Sequence, residues 1–175
     1  MQKLIVVLFS ILLFSCSNKP TLQKYFVENT EDQDFIAIDI SPSILNLEKA
    51  SLSESEKKVL ETFDKMNIIA FKKDSLNTNK FKEEEVKVKA ILKDENYQKL
   101  MKFGSGSQAV SVYYVGEDDK IDEFVVYAKN VDSGFVIVRV LGDNMNTADI
   151  FTFIEVLKKS KLDIEQLKPL EAILK

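Results

Sequence analysis

Apolar residues that recur three and four positions apart predict several helices along the chain. The best marked begins at Ser53, because Glu56 completes a capping box and the following apolar residues fall on one helical face. A final helix is expected after Asn146, which caps it together with Asp149 three residues on. The predicted helices cover residues 22–27, 53–66, 79–93, 96–102 and a segment from residue 146, with a short helical tail at residues 163–175 that Pro169 interrupts.

Alternating apolar and polar residues predict strands between these helices and in a run after residue 108. The last three predicted strands are joined by "GEDDK" and "NVDSG", which are rich in turn residues and short enough for hairpins. The predicted strands cover residues 35–40, 67–73, 109–115, 121–129 and 134–141. This order of elements predicts one α+β domain over residues 22–175, with helices packed on a mainly antiparallel sheet of about five strands.

Two of the predicted strands resemble each other, "DFIAIDIS" at residues 34–41 and "GFVIVRVL" at residues 134–141. A duplicated strand-helix unit and a chance similarity between β-branched strands both explain the likeness. Asp39 and Arg139 occupy matching places in these strands. They are the candidate binding residues, either as an ion pair across one sheet face or as contacts to a ligand, and a structural ion pair is the commoner arrangement.

The N-terminal residues have the pattern of an export and anchoring signal. Lys3 precedes an apolar run over residues 4–14 that is too short to span a bilayer, which predicts a cleaved signal peptide over residues 1–15. The sequence "LFSC" at residues 13–16 resembles the lipoprotein box, in which the cysteine is acylated and becomes the new N-terminus. Cys16 is therefore the predicted lipid attachment site, and residues 16–21 form a short tether. A plain signal peptide that leaves a stray thiol at Cys16 is the alternative.

Lipidation at Cys16 would make the membrane a partner of the protein through its anchor. Ser17 follows the cysteine, as it does in lipoproteins that are not held at the inner membrane. The expected location is the cell envelope, at the periplasmic face of the outer membrane.

Composition narrows the chemistry available to the folded part. The net charge is −4 and the lysines are spread along the chain, so nucleic acid is not an expected partner. The chain has no histidine and one arginine, which removes histidine-dependent nucleophiles and clustered guanidinium clamps. The loop "GDNMNTAD" at residues 142–149 lacks the ligand spacing of a calcium loop, and "EDDKIDE" at residues 117–123 is typical of a solvated hairpin tip. No metal and no cofactor is expected.

Two functions of different classes remain open. The first is a non-enzymatic module that binds another envelope protein or a small ligand through a sheet face that the helices cover incompletely. The second is a histidine-free hydrolase that uses carboxylates such as Asp39 or Asp143. Because the chain has few groups suited to catalysis, we expect a binding protein and not an enzyme.

Several stretches together carry a family resemblance: "FIAIDISPSIL", "YQKLMKF" at residues 97–103, "FVVY" at residues 124–127 and "DSGFVIVRVLGD" at residues 132–143. They resemble the domain-of-unknown-function family 4252, which consists of lipoproteins from Bacteroidetes-type bacteria. The likeness extends over about residues 22–167. It implies an exported, lipid-anchored domain without an assigned activity, and an envelope-response role, and it carries over no catalytic residue.

Overall fold

The computed structural model describes residues 19–41 and 52–159, in which four helices pack on a six-stranded antiparallel sheet. The predicted α+β class is confirmed, with six strands in place of about five. The predicted signal peptide, the predicted lipid attachment site Cys16 and the predicted helical tail at residues 163–175 lie outside the described residues. The helices are α1 (Leu22–Asn29), α2 (Glu54–Glu61), α3 (Thr78–Ile91) and α4 (Asp149–Lys159). The strands are β1 (Phe35–Ile40), β2 (Phe63–Lys72), β3 (Gln98–Ser105), β4 (Gln108–Glu117), β5 (Lys120–Asn130) and β6 (Gly134–Met145).

The strands lie in the order β1-β2-β6-β5-β4-β3, so β1 and β3 are the edges of the sheet. The two strands that resemble each other in sequence, β1 and β6, both pair with β2. Phe71 of β2 pairs with Phe35 of β1 on one side and with Phe135 of β6 on the other. The ring centroids of Phe35 and Phe135 lie 5.1 Å and 5.6 Å from that of Phe71. These aromatic contacts fix the register of the three strands.

Two sequence predictions are wrong, one about the type of an element and one about where a helix ends. In both cases the apolar spacing of a strand mimics that of a helix. Residues 96–102 were predicted as helical but belong mainly to β3, where a register shift between Lys99 and Met101 adds a residue and breaks the alternation of a strand. The predicted helix over residues 53–66 ends at Glu61, and β2 begins at Phe63. Phe63 and Met66 remain in the same hydrophobic core as the helix, so their spacing continues the helical pattern into the strand.

Each face of the sheet has its own hydrophobic core. On one face, Val59 of α2 and Phe153 of α4 pack against Met66, Phe124 and Val140, and we call this the α2/α4 face. On the other, α1 and α3 cover the strands, and we call this the α1/α3 face. Its buried side chains include Leu22, Phe26, Phe81, Val88, Ile69 and Ile137.

The predicted capping box at the start of α2 is confirmed. The side chain of Ser53 accepts a hydrogen bond from the Glu56 amide, and the Glu56 carboxylate accepts one from the Ser53 amide. Glu56 also accepts a 2.7 Å hydrogen bond from the Lys159 ammonium, and this bond lowers the pKa of the Glu56 carboxyl. One residue thus caps α2 and joins it to α4.

Candidate functional site

Arg139 lies on the α1/α3 face and is almost fully buried, with 4% of the residue exposed. Its Nε and Nη2 donate to the two carboxylate oxygens of Glu123 at 2.7 and 2.9 Å. Nη1 donates to Gln23 Oε1 of α1 at 2.7 Å, and the ring of Phe26 lies 5.4 Å from the guanidinium carbon. This two-pronged geometry uses the planar fork of arginine to hold α1 against the sheet.

Asp39 lies on the same face as Arg139 but two strands away, with Asn67 of β2 directly opposite both residues. Asn67 Nδ2 donates a hydrogen bond to Asp39 Oδ1. The two candidate residues therefore share a cross-strand row, while the ion pair of Arg139 is made with Glu123. The role of Asp39 and Arg139 in ligand binding stays a prediction.

The cavity beside these residues measures about 190 Å³ and is lined by Gln23, Phe26, Asp39, Asn67 and Arg139 among others. That volume is below the range of about 300–1,000 Å³ that is usual for small-molecule pockets. Within the described part of the chain, Asp39 is the one carboxylate that lines it. Carboxylate-based hydrolysis needs a second acid beside the first, so the geometry around Asp39 does not favour that chemistry.

Sequence reasoning missed Glu123, which it assigned to a solvated hairpin tip. Glu123 is 9% exposed and lies within β5. A signal for its burial was present in the sequence, since counting back in steps of two from Tyr127 through Val125 places Glu123 on the inward face. The register shift between Ile121 and Glu123 interrupts that alternation one step further on.

The acidic loop at residues 142–149 has a capping function. Asp149 Oδ2 accepts hydrogen bonds from the backbone and side-chain nitrogens of Asn146, and Asn146 Oδ1 accepts one from the Ala148 amide. Asp143, the second candidate for carboxylate chemistry, is exposed on β6. Among residues 19–41 and 52–159, no three histidine, cysteine or acidic side chains form a group that could hold a metal ion.

The α2/α4 face carries a second feature, an apolar strip away from its two helices. The pairing register aligns one residue from each of the six strands in a continuous row, and all six are apolar. The members are Ile36, Ala70, Val136, Ala128, Val110 and Phe103. A sheet face that meets water normally carries polar residues at these positions.

A second row runs parallel to the first, one step closer to α2 and α4. Its members are Ile38, Ile68, Val138, Val126, Val112 and Met101. We call the two rows together the open strip, because Phe103 is 58% exposed and Val110, Val126, Val136 and Val138 are only partly buried. Its members Ala70, Ile68 and Val112 are buried. The core under α2 and α4 is centred on the third row, with Met66, Val140 and Phe124, and it extends into the strip at Ile68 and Ala70 of β2.

Comparison with known proteins gives a family but no characterised relative. The family model described as "Domain of unknown function (DUF4252)" matches residues 25–153, and it confirms the resemblance seen in the sequence. No curated protein and no solved structure matches the chain. None of the helices in the described residues is long and apolar enough to span a membrane.

Proposed function

The chain belongs to the family described as a domain of unknown function (DUF4252), and we propose that it is a lipid-anchored, non-enzymatic binding module of the bacterial envelope. The observation that carries this proposal is the open strip on the α2/α4 face. Large apolar surfaces that remain accessible in a folded domain typically serve as interaction sites. The lipoprotein-like sequence at Cys16 supports the anchor, and Ser17 supports the periplasmic face of the outer membrane.

The partner we propose is an amphipathic helix of another envelope protein. Five spacings of about 4.8 Å between strands make the strip about 24 Å long, and its two rows lie about 7 Å apart. An α-helix about 10 Å in diameter and about 16 residues long has this footprint. The same sheet face already packs α2 and α4 through apolar side chains of this kind.

The protein's own C-terminal residues fit the strip less well than a separate helix does. Pro169 interrupts the helical pattern of residues 163–175 and leaves six residues on either side of it. Six helical residues extend only about 9 Å, which is well short of the strip. A longer helix from another chain therefore matches the strip better than this C-terminal segment does.

Site-specific photocrosslinking in the living cell tests this proposal. We expect a photoreactive residue at Val136 to crosslink to a second protein, within a segment of it that is apolar on one helical side. The same residue at Val86, which is 66% exposed on α3, should give no such product. A Val110→Lys substitution in the same strip should abolish the crosslink from position 136. Products that map only to residues 42–51 or 160–175 of the same chain, or to a second copy, would refute the proposed partner.

The lipid anchor has its own test. A Cys16→Ala variant should lose incorporation of a labelled fatty acid and should leave the membrane fraction, whereas Ser17→Ala should keep the label. The reason is that the acyl chains supply the membrane affinity, at about 0.8 kcal/mol per buried methylene. A Cys16→Ala protein that stays acylated would show that the attachment site is elsewhere.

A histidine-free hydrolase remains the alternative function. It requires that Asp39 or Asp143 be essential in the cell. Complementation of a deletion strain by Asp39→Asn and Asp143→Asn variants would eliminate it. Loss of complementation by a stably folded Asp143→Asn variant would favour it over binding, because Asp39 is also a candidate binding residue.

A further inference from the structure

A groove of about 470 Å³ opens on the α1/α3 face, where the end of α3 leaves part of the sheet uncovered. Ser111, Tyr113 and Tyr127 form its floor, and Leu92 and Tyr97 line its side near the end of α3. Five lysines surround it, and no acidic residue of the described chain lines it. The lysines are Lys89, Lys93, Lys99, Lys102 and Lys129.

The positive charge of this lysine groove is only partly neutralised. Lys89 and Lys129 both bind Glu85, at 2.7 and 2.6 Å. For Lys93, Lys99 and Lys102, no carboxylate lies within ion-pair distance among the described residues, and the Lys99 ammonium lies 5.5 Å from the ring centre of Tyr113. The groove is therefore cationic on a protein whose net charge is −4.

A buried hydroxyl in the same groove has no partner. Tyr127 is 6% exposed, and its phenol oxygen makes no hydrogen bond within the described part of the chain. Burial first, and then the charge of Glu85, raises the pKa of this phenol, so it stays a protonated donor. A buried donor without an acceptor is destabilising, and an anionic oxygen that reached the floor of the groove would satisfy it.

The chain enters the fold beside this groove. Lys19 lies 3.8 Å from the carboxylate of Asp94, which follows Lys93 in the sequence. The Leu22 amide donates to the hydroxyl of Tyr97, which lines the groove, at 3.4 Å. Cys16 precedes Lys19 by three residues, and three residues span at most about 11 Å. A lipid on Cys16 would thus hold the groove close to the membrane surface.

We infer that the lysine groove binds the phosphate of an anionic lipid headgroup in the membrane that holds the protein. The inference rests on the lipid anchor of the proposed function and gives the anchored domain a fixed orientation. Basic residues next to an acylated terminus add electrostatic attraction to an anionic surface. With the lysine groove toward the membrane, the open strip lies on the opposite face of the sheet, where a partner can reach it.

Other roles explain these lysines singly but not as a group. Lysines near the end of α3 interact favourably with the helix dipole, and lysines on the edge strand β3 discourage edge pairing. Neither role requires that they converge on three tyrosines, or that a buried phenol among them lack an acceptor. The two explanations predict different responses to lipid charge.

Amine-reactive labelling of the lipidated protein, read by mass spectrometry, distinguishes them. The protein is compared in vesicles of phosphatidylcholine alone and of phosphatidylcholine with phosphatidylglycerol. We expect labelling of Lys93, Lys99 and Lys102 to fall about fivefold in the anionic vesicles. The protection should vanish at about 1 M salt, where the Debye length is about 3 Å. Equal labelling in both vesicles would overturn the inference.

Two triple variants provide the matched control. Lys93→Gln/Lys99→Gln/Lys102→Gln should lose the protection of the remaining Lys89 and Lys129. Lys58→Gln/Lys72→Gln/Lys120→Gln removes the same charge from exposed sites outside the groove and should keep that protection. If both variants lose it equally, general charge attraction explains the effect and the groove does not.

Two further comparisons distinguish a lipid phosphate from a soluble one, and headgroup binding from the lipid anchor. Glycerol phosphate added to phosphatidylcholine vesicles should give no protection, and protection equal to that of the anionic lipid would assign the groove to a soluble ligand instead. Failure to associate with neutral vesicles, combined with protection in anionic ones, would refute the anchor but support headgroup binding. Association with neither vesicle would refute both.

Discussion

At the scale of single residues, Arg139 was a candidate either for an ion pair or for a ligand contact, and the structure places it in an ion pair with Glu123. It is the only arginine of the chain, and its fork is engaged by Glu123 and Gln23 beneath α1. A buried ion pair costs desolvation on both sides, so removal of one partner leaves an uncompensated charge. The pair therefore matters most as a constraint on where α1 docks.

We predict that Arg139→Met lowers the free energy of unfolding by about 3–5 kcal/mol, because it leaves the Glu123 carboxylate buried alone. The double variant Arg139→Met/Glu123→Leu should recover most of this loss, since it buries no charge. Urea denaturation of the two variants and the wild type measures both values. A double variant that is no more stable than Arg139→Met would contradict this account of the pair.

A second residue-scale prediction concerns acid stability. The Lys80 ammonium donates to Asp32 at 2.7 Å and to Asp34 at 2.6 Å, and these hydrogen bonds lower the pKa of both carboxyls. Carboxyls with a lowered pKa in the folded state stabilise it above their ordinary pKa, near pH 4. They lose that contribution as the pH falls through the lower folded values.

Lys80→Met should therefore be less stable than the wild type at neutral pH, and the difference should shrink as the pH falls below about 4, the ordinary pKa of a carboxyl. Denaturant titrations across this range provide the measurement. Lys57→Met is the control, because the Lys57–Glu54 pair is exposed and its loss should change the profile little. A difference that stays constant with pH would mean that Lys80 stabilises the fold by some other interaction.

At the scale of elements, the sequence predicts a helix or strand correctly where a single hydrophobic periodicity extends over the whole segment. The strand at residues 35–40 was predicted with its observed limits, because turn residues bound it and its apolar residues alternate. The strand β3, which precedes the three predicted strands of the meander and pairs with the first of them, was missed because its bulge disrupts that alternation. The link between Arg139 and Gln23 joins residues 116 positions apart, and no local pattern specifies such a contact.

The β2–β6 pairing depends on the glycine that begins β6. Gly134 has a φ of +127°, and a Cβ there would lie 1.9 Å from the carbonyl oxygen of Phe71. Gly134→Ala should therefore cost more than about 2 kcal/mol of unfolding free energy, because the backbones of two central strands must separate.

Gly106→Ala is the matched comparison for this prediction. Gly106 also has a positive φ, +66°, but nothing lies within 4 Å of the added methyl group. Its cost should be limited to about 1 kcal/mol, which is the conformational penalty alone. Thermal denaturation of both variants provides the test. Equal costs at the two positions would mean that the close approach to Phe71 is not what requires glycine.

At the scale of the whole molecule, the two proposed binding surfaces lie on opposite faces of the sheet. The lysine groove and the entering chain lie on the α1/α3 face, and the open strip lies on the α2/α4 face. The sequence predicted an incompletely covered sheet face, since strands such as β6 are apolar on both sides. It could not assign which face or which rows stay open, because that depends on where α2 and α4 pack.

The central claim is that the open strip, from Val136 on β6 to Phe103 on β3, is a surface and not part of a core. Val136 and Val140 lie on the same strand and the same face, but Val136 is in the strip and Val140 is 3% exposed beneath α2 and α4. The free energy of unfolding of Val136→Lys, measured beside that of Val140→Lys, tests this claim most directly. We predict a loss of less than about 1 kcal/mol at Val136 and of more than about 3 kcal/mol at Val140, where the charge is buried. An equally large loss at Val136 would contradict the account, because it would show that the strip is buried within the protein itself.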